Sequence, residues 1–559
     1  MTQLAMKRAH VKRALATLLL FLHVTGIASA LAASSLASRS LDVQSKGEQA
    51  ADTLDSLRER IAAHIGQQKF ASAQWGVKIV SVDTGKTIFE YNAQKFFNPA
   101  SNAKLYTTAL ALDRLGPDYR IKTSLYSTAR PDASGTLKSD LIVYGRGDPT
   151  MAARLNGGDY FKGFDPLIAQ LTNAGVRRIE GDLVADESYF TGPPFGSGWQ
   201  WDDLQAYYGA EVSSLTVDDN ALDLFVKPAE RVGMPCRITT GPPTTFVTFI
   251  NRTQTAPKGS ESRIVVYRPV GENIIYVSGS LAIDGSGYYA SVAVHNPASL
   301  FVTLLKDALV ARGIVVSGRT RVIDWKYREV TPIDFTKLIE LGSIESMPLG
   351  DIVRETLKPS QNLYAQLLLL QVGAKVGTTS DKKDPIRDPQ LTSGSFSTTE
   401  ALGINSMNDF LARIGVKQGY VLLEEGSGLS RLDVITPEAT VALLRYASRS
   451  SWAEVYRNAL PIAGVDGTLQ NRMKGTAATG NVRAKTGTLR YVHALSGFVT
   501  TAAGEHLVFS IMLNNYNNPE SAAIIRPAGN RTQHVPPPAP RDELDAIAIM
   551  LASFTGRSQ

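Results

Sequence analysis

Apolar and polar positions follow two rhythms along this chain, and the switches between them mark out its parts. Leu54, Leu57, Ile61 and Ile65 recur at helical spacing, which predicts a helix from Thr53 to Ile65. Gln74 to Ser81 and Thr87 to Tyr91 are β-rich runs around Asp83-Thr-Gly-Lys86, a hairpin pattern. A second helical stretch runs from Ser101 to Leu115, between Pro99-Ala100 and Gly116-Pro117. From Arg120 to about Phe335 the texture changes to short β-rich runs, turns and occasional helices. Within it, Asn173 to Asp186 and Ala311 to Asp324 look alike. Each leaves a helical pattern through a C-capping glycine into a strand, so a helix-then-strand unit is expected twice. Helical texture returns over Leu349 to Val376, Thr399 to Ile414 and Pro437 to Ser448. Lys485 to Asn514 reads as an apolar β meander turning at Ala503-Gly-Glu-His506. After the stiff Val535-Pro-Pro-Pro-Ala-Pro540 comes a closing helix, Arg541 to Phe554. Its apolar run Ala546 to Ala552 lacks the basic flank of a membrane-docking helix and is expected in a core.

A chain of 559 residues exceeds one ordinary core and implies two or three domains. Apolar residues at 43% and charged residues at 20% make it globular. The net charge of +6 misleads, because Lys7, Arg8, Lys12 and Arg13 lie in a leader without acids. Taking those four away leaves a nearly neutral body, with no electrostatic case for nucleic acid or acidic lipid. Basic residues, the apolar run Ala14 to Leu22 and then Ala28-Ser29-Ala30 form the pattern of a cleaved secretory signal. An uncleaved anchor is the alternative, since Ala14 to Ala33 is just long enough to span a bilayer. The expectation is export to the periplasm, with residues 1–33 as signal and 34–52 as a polar spacer. Cys236 is alone, so no internal disulfide can form. The scattered histidines form no HExxH and no GxSxG occurs, so no metal or cofactor is expected.

Three short motifs follow one another: Ser101-Asn-Ala-Lys104, Ser360-Gln-Asn362 and Lys485-Thr-Gly487. Singly they are weak; Ser380-Asp-Lys-Lys383 is a second SxxK and Ser406-Met-Asn408 a second SxN. Context separates them. Ser101 opens an apolar helix with Lys104 one turn on, whereas Ser380 sits in a polar loop. Ser360 to Asn362 lies inside a helical, largely apolar stretch, and Ser406 to Asn408 reads as an N-cap and loop edge. Taken alone, Ser101 and Lys104 are a cap and an exposed lysine, and Lys485 to Gly487 a strand start. Taken together they suit acyl transfer. A serine hydroxyl needs a base, and a lysine serves if desolvation or a second cation such as Lys485 lowers its pKa. A helix N-terminus adds roughly 0.3–1 kcal/mol for a developing anion, and backbone N–H groups there can line an oxyanion hole.

With these three motifs in this order, the sequence resembles the penicillin-binding proteins. It is most similar to the low-molecular-mass (class C) D-alanyl-D-alanine carboxypeptidase/endopeptidase family, which carries a large insertion between the first two motifs. Further matching passages are Gly145-Arg-Gly-Asp-Pro-Thr150, Val217-Asp-Asp-Asn220, Asn296-Pro-Ala298, Gly426-Ser-Gly-Leu-Ser-Arg431 and Val465-Asp-Gly-Thr468. The resemblance implies an α+β fold: a penicillin-binding/β-lactamase-like domain, an antiparallel sheet flanked by helices, over 53–118 and 336–559. Residues 119–335 would be a β-rich insertion of one or two extra domains. It implies Ser101 as acylated nucleophile, Lys104 as its base and Ser360 as proton relay to the leaving amine. Asn362 would hold Lys104 and the substrate amide, and Lys485 and Thr486 the terminal carboxylate. The N–H groups of Ser101 and Thr488 would form the oxyanion hole. The implied partners are peptidoglycan peptides ending in or cross-linked through D-alanine, and β-lactam antibiotics. A serine β-lactamase and a catalytically silent wall-binding protein of the same fold are the alternatives. Three features depart from the family: Glu425 where Asp is common, Gln361 where Asp is frequent, and an added segment Gly529 to Pro540.

Overall fold

The structure, a computed structural model, describes residues 52–377, 398–517 and 539–558. The leader, nearly all of the spacer, the second SxxK at Ser380 and most of Gly529 to Pro540 lie outside the described residues.

Five strands make the sheet that carries the site: β1 (Gln74–Ser81), β2 (Thr87–Tyr91), β3 (Arg483–Leu489), β4 (Val492–Thr500) and β5 (His506–Asn514). They are ordered β3-β4-β5-β1-β2 and every pairing is antiparallel. The expected hairpin and meander thus join into one sheet, with Val77 opposite Ile511 at the seam. Both faces are covered, which is why the meander is apolar throughout rather than alternating. Phe509, Ile511 and Leu513 of β5 enter one core, and Val508 and Met512 the other.

The helices around this sheet are α1 (Leu54–Ile65), α2 (Ala103–Leu115), α3 (Leu349–Leu357), α4 (Asn362–Gly377) and α5 (Pro540–Ser553). Thr53 caps α1, its hydroxyl accepting from Ser56 N, and Leu57, Ile61 and Ile65 are buried as the spacing predicts. α1 and α5 share the first core, where Ile547 and Leu551 sit with Leu57 and Ile61. The closing helix therefore packs inward. Among the described residues no helix is long and apolar enough to cross a membrane. α2, α3 and α4 share the second core, centred on Leu105, Leu110, Ile352 and Leu367.

Two expectations need correction. The helix over Leu349 to Val376 is two helices, because the chain leaves α3 at Lys358 and turns through Ser360 before α4. Apolar spacing continues across the break and hides it. Ser406 to Asn408 is neither cap nor edge but lies inside the helix Thr399–Arg413, whose cap is Thr398, accepting from Ala401 N.

Between α2 and α3 lie the short strands. A second five-stranded sheet runs Thr320–Ile323, Leu183–Asp186, Leu141–Tyr144, Lys122–Ser127 and Ile339–Glu345, in that spatial order. The two similar passages are a structural repeat. Helices Asp165–Asn173 and Pro297–Ala311 each feed two strands, and the copies pair in parallel, Val315 with Arg178 and Thr320 with Leu183.

Candidate active site

The Ser101 turn is built by its neighbours rather than by helix propensity. Ala100, Ser101 and Asn102 form a 3₁₀ turn ahead of α2, and Ala100 has φ of 45° although it is not glycine. Such a conformation costs about 1–3 kcal/mol and persists where the surroundings over-determine it. Here Asn98 does so: its Oδ1 accepts from Ala100 N at 3.0 Å, and its Nδ2 donates to the carbonyls of Ser430, Arg431 and Asp433. Two glycines admit the turn. A Cβ on Gly428 (φ 80°) would meet Ala100 O at 1.9 Å, and one on Gly487 would meet Pro99 O at 2.4 Å. Buried Asn102 donates from Nδ2 to Lys485 O at 3.2 Å, tying the turn to edge strand β3.

Lys104, one turn into α2, is fully buried. Its Nζ donates to Ser101 Oγ at 2.8 Å, to Asn362 Oδ1 at 2.6 Å and to Ser427 O at 2.6 Å. Three acceptors satisfy the amine that burial would otherwise penalise. Burial also pulls its pKa down to about 7, opposed in part by Glu425 and Asp433. The cause is desolvation; a neighbouring cation acts on Lys485 instead, whose pKa falls well below the ordinary value through burial and then through Lys104.

The other motifs meet the same cleft. Lys485 Nζ donates to Ser360 Oγ and to Thr486 O, both at 2.8 Å. Ser360 holds φ of 67°, a second non-glycine residue in the left-handed region. Asn362 bridges outward, its Nδ2 donating to Tyr208 O at 2.8 Å while Oδ1 receives Lys104. Thr488 lies three residues beyond Lys485 on β3 with an exposed side chain. Ser101, Lys104, Ser360, Asn362, Lys485 and Thr486 therefore gather where the Ser101 turn meets β3, and Thr488 follows on the same strand.

Sequence reasoning assigned no part to several supports. Thr468 receives the Thr486 hydroxyl at 2.8 Å, and its own N–H donates to Lys358 O at 3.1 Å. Lys358 Nζ in turn bonds Asp466 Oδ2 at 2.6 Å. The passage Val465 to Thr468 thus clamps the Ser360 turn to β3. Glu425, fully buried, accepts N–H bonds from Ser427 (2.6 Å), Gly428 (2.5 Å) and Leu429 (2.9 Å), fixing the loop whose carbonyl holds Lys104. The extra methylene relative to Asp is accommodated in that loop. Both passages were visible as matching sequence, but their contacts are long-range and have no local signature. Among the described residues no cluster of three or more His, Cys, Asp or Glu is arranged to hold a metal.

A serine, a buried amine and two flanking polar motifs on an α+β scaffold with an antiparallel sheet suit a serine acyl-transfer enzyme, and comparison with known proteins makes it a peptidase. The model of the D-Ala-D-Ala carboxypeptidase 3 (S13) family matches residues 57–535. A D-alanyl-D-alanine carboxypeptidase of an Actinomadura species is 33% identical over 518 residues, covering 90% of this chain and 86% of the relative. The Haemophilus influenzae D-alanyl-D-alanine carboxypeptidase DacB is 28% identical over 446 residues, covering 78% and 84%. The crystal structure of penicillin binding protein 4 from Haemophilus influenzae superposes with a TM-score of 0.68 at 24% identity, covering 88% of this chain and 97% of that one. The chain belongs to the D-Ala-D-Ala carboxypeptidase 3 (S13) family.

Proposed function

We propose that this chain is an exported acyl-enzyme peptidase working in the periplasm on peptidoglycan peptides that end in, or are cross-linked through, D-alanine. One observation carries the reading: Lys104 Nζ bonds Ser101 Oγ and Asn362 Oδ1 at once, while Lys485 Nζ bonds Ser360 Oγ in the same cleft. The relatives' names supply the substrate class, and the leader pattern supplies the compartment. Residues 119–335, together with the strand Ile339–Glu345 that completes their five-stranded sheet, act as an accessory region inserted into the catalytic one.

In the acylation step Ser101 Oγ attacks the carbonyl carbon of the penultimate D-alanine and neutral Lys104 takes the hydroxyl proton. The N–H groups of Ser101 and Thr488 stabilise the oxyanion. The C–N bond then breaks, the leaving nitrogen receiving its proton through Ser360. Thr486 and Lys485 hold the terminal carboxylate, and Asn362 the acyl-side amide. Water hydrolyses the ester and frees Ser101. A β-lactam follows the same path, its ring amide opening on Ser101.

Incubation with a fluorescent penicillin tests this directly. The folded protein is expected to carry a covalent label on the peptide containing Ser101; an unlabelled folded protein ends the reading. A long-lived adduct separates this peptidase from a β-lactamase, which would release the opened drug rapidly, and from a silent wall-binding protein, which would form none.

The acylation rate should depend on pH with a definite sign. Lys104 acts in its neutral form, so the rate rises with pH through about 7, the value to which burial lowers the amine. Glu425 pulls the other way, raising that pKa. Glu425→Gln is therefore expected to shift the acid limb of penicillin acylation to lower pH, measured by stopped-flow labelling. An upward shift, or none with the fold intact, would contradict the electrostatic role.

A further inference from the structure

Gln366 has no part in the site above, yet it is 2% exposed and both ends of its amide are bonded. It follows Asn362 by one turn of α4, so the two side chains share a face. Asn362 Oδ1 accepts from Lys104 Nζ at 2.6 Å, and Gln366 Oε1 accepts from Gly426 N at 2.8 Å. The next residue along that loop, Ser427, gives Lys104 another of its three acceptors, the carbonyl oxygen at 2.6 Å. Thr107 Oγ1 donates to Gly426 O at 2.7 Å, so the glycine is held at its N–H and at its carbonyl. It also lies hard against α4, where a Cβ would meet Ala365 O at 2.8 Å. One helix face thus places two of the lysine's partners, Asn362 directly and Ser427 through Gly426.

The Gln366 amide can do this only one way round. Its Nε2 donates to Glu400 Oε2, and an ionised carboxylate only accepts, so the amide oxygen is left to face Gly426. Glu400 is pinned in turn from the inserted region. Ser197 donates to Glu400 Oε1 from its hydroxyl at 2.6 Å and from its backbone N–H at 3.3 Å. The loop that carries Ser197 is itself docked on the start of the helix Thr399–Arg413. Thr191 O accepts from Thr399 N at 2.9 Å, and Thr191 N donates to Thr399 Oγ1 at 2.9 Å. At its other end the loop meets the Gly426 to Arg431 passage, where a Cβ on Gly198 would lie 2.2 Å from Ser430 Oγ. A chain of hydrogen bonds therefore runs from Ser197 through Glu400, Gln366 and the Gly426 loop to Lys104.

We infer that Gln366 is a positioning residue for Lys104, locked in its working orientation by Glu400 and Ser197, so that the inserted region helps to set the geometry of the base. The inference rests on reading Lys104 as the base for Ser101. It gives the insertion a part in the acylation step that needs no contact with the substrate.

Stopped-flow acylation by a fluorescent penicillin tests this, because it yields the dissociation constant and the saturating acylation rate separately. At about pH 8 Glu400 is ionised, since burial raises its pKa only to about 7. Gln366→Met keeps the length and removes both bonds. It is expected to lower the saturating rate about tenfold while the dissociation constant stays within about twofold. Glu400→Leu should lose about fivefold in the same rate, and Glu400→Gln, which still offers Gln366 an oxygen, should recover most of it. Ser197→Ala, at an exposed position, should fold normally and lose about threefold. Because the three act along one chain, the double variant Gln366→Met/Glu400→Leu should be no slower than Gln366→Met alone. A folded Gln366→Met protein that acylates at the wild-type rate would overturn the inference. If that protein does not fold, a wild-type rate in Ser197→Ala would do the same. So would a loss confined to the dissociation constant, or a double variant whose loss is the product of the two single ones. Each of these outcomes leaves the parent reading standing, whereas a wild-type protein that penicillin does not label would overturn both.

Discussion

Ser101→Ala is expected to abolish covalent penicillin labelling and to lower peptide hydrolysis by at least about 10³-fold, the scale of losing a nucleophile that works as a unit with its base. Among the described residues no other hydroxyl is bonded to Lys104 Nζ. Ser360 Oγ is bonded to Lys485, whereas Lys104 directs its remaining bonds to Asn362 Oδ1 and Ser427 O. The substitution should leave the fold nearly untouched. Lys104 keeps two of its three acceptors, the Ser101 turn is set by Asn98, and the lost bond is worth about 1 kcal/mol. Intact-protein mass after penicillin exposure, read beside the thermal midpoint, checks both halves. An adduct that survives in a folded Ser101→Ala protein would move the nucleophile elsewhere.

What could be read in the sequence was local or ordered along it. Ser101 and Lys104 sit one turn apart, so a helix brings them together whatever the rest of the chain does. The buried stripe of α1 followed from periodicity, and the strand runs of β3 to β5 from continuous apolar runs broken at turns, because both faces of that sheet are covered. The similarity of Asn173 to Asp186 and Ala311 to Asp324 pointed to a repeat, and the parallel pairing of its copies accounts for it. The break at Ser360 was invisible for the opposite reason. α3 and α4 both bury apolar faces, so the spacing runs on, and a left-handed serine carries none of the signal a glycine would. The clamp by Thr468 and the loop held by Glu425 join segments far apart in sequence. Their donors and acceptors are ordinary residue types until the fold brings them together. The cause of the lysine shift was also beyond the sequence. A second cation and burial were equally plausible there, and complete burial of Lys104 settles the matter.

Lys104 offers the sharper test of mechanism, because charge and basicity can be separated there. Lys104→Arg keeps a cation near Ser101, but a guanidinium stays protonated at any pH the enzyme survives and cannot accept the hydroxyl proton. Lys104→Met removes both properties at similar length. If the amine works as a base, the two variants should fail alike, each losing about 10³-fold in penicillin acylation, within the range that general base catalysis supplies. Raising the pH should rescue neither. If the amine instead served only as a positive charge, Arg would retain most of the rate and Met would not. The variants also differ in stability in a predictable way. Methionine leaves Asn362 Oδ1 and Ser427 O without their donor in a fully buried site, costing about 1–3 kcal/mol for each orphaned group, partly offset because no amine need be desolvated. Arginine can still donate but is too large for a pocket already closed around a lysine, so it should destabilise by overpacking, about 1–3 kcal/mol. Rates measured only on protein that passes a thermal-unfolding check keep these losses apart from the chemistry. An Arg variant that acylates at a rate near wild type would remove the proton transfer from Lys104 and leave the serine to be activated by another group.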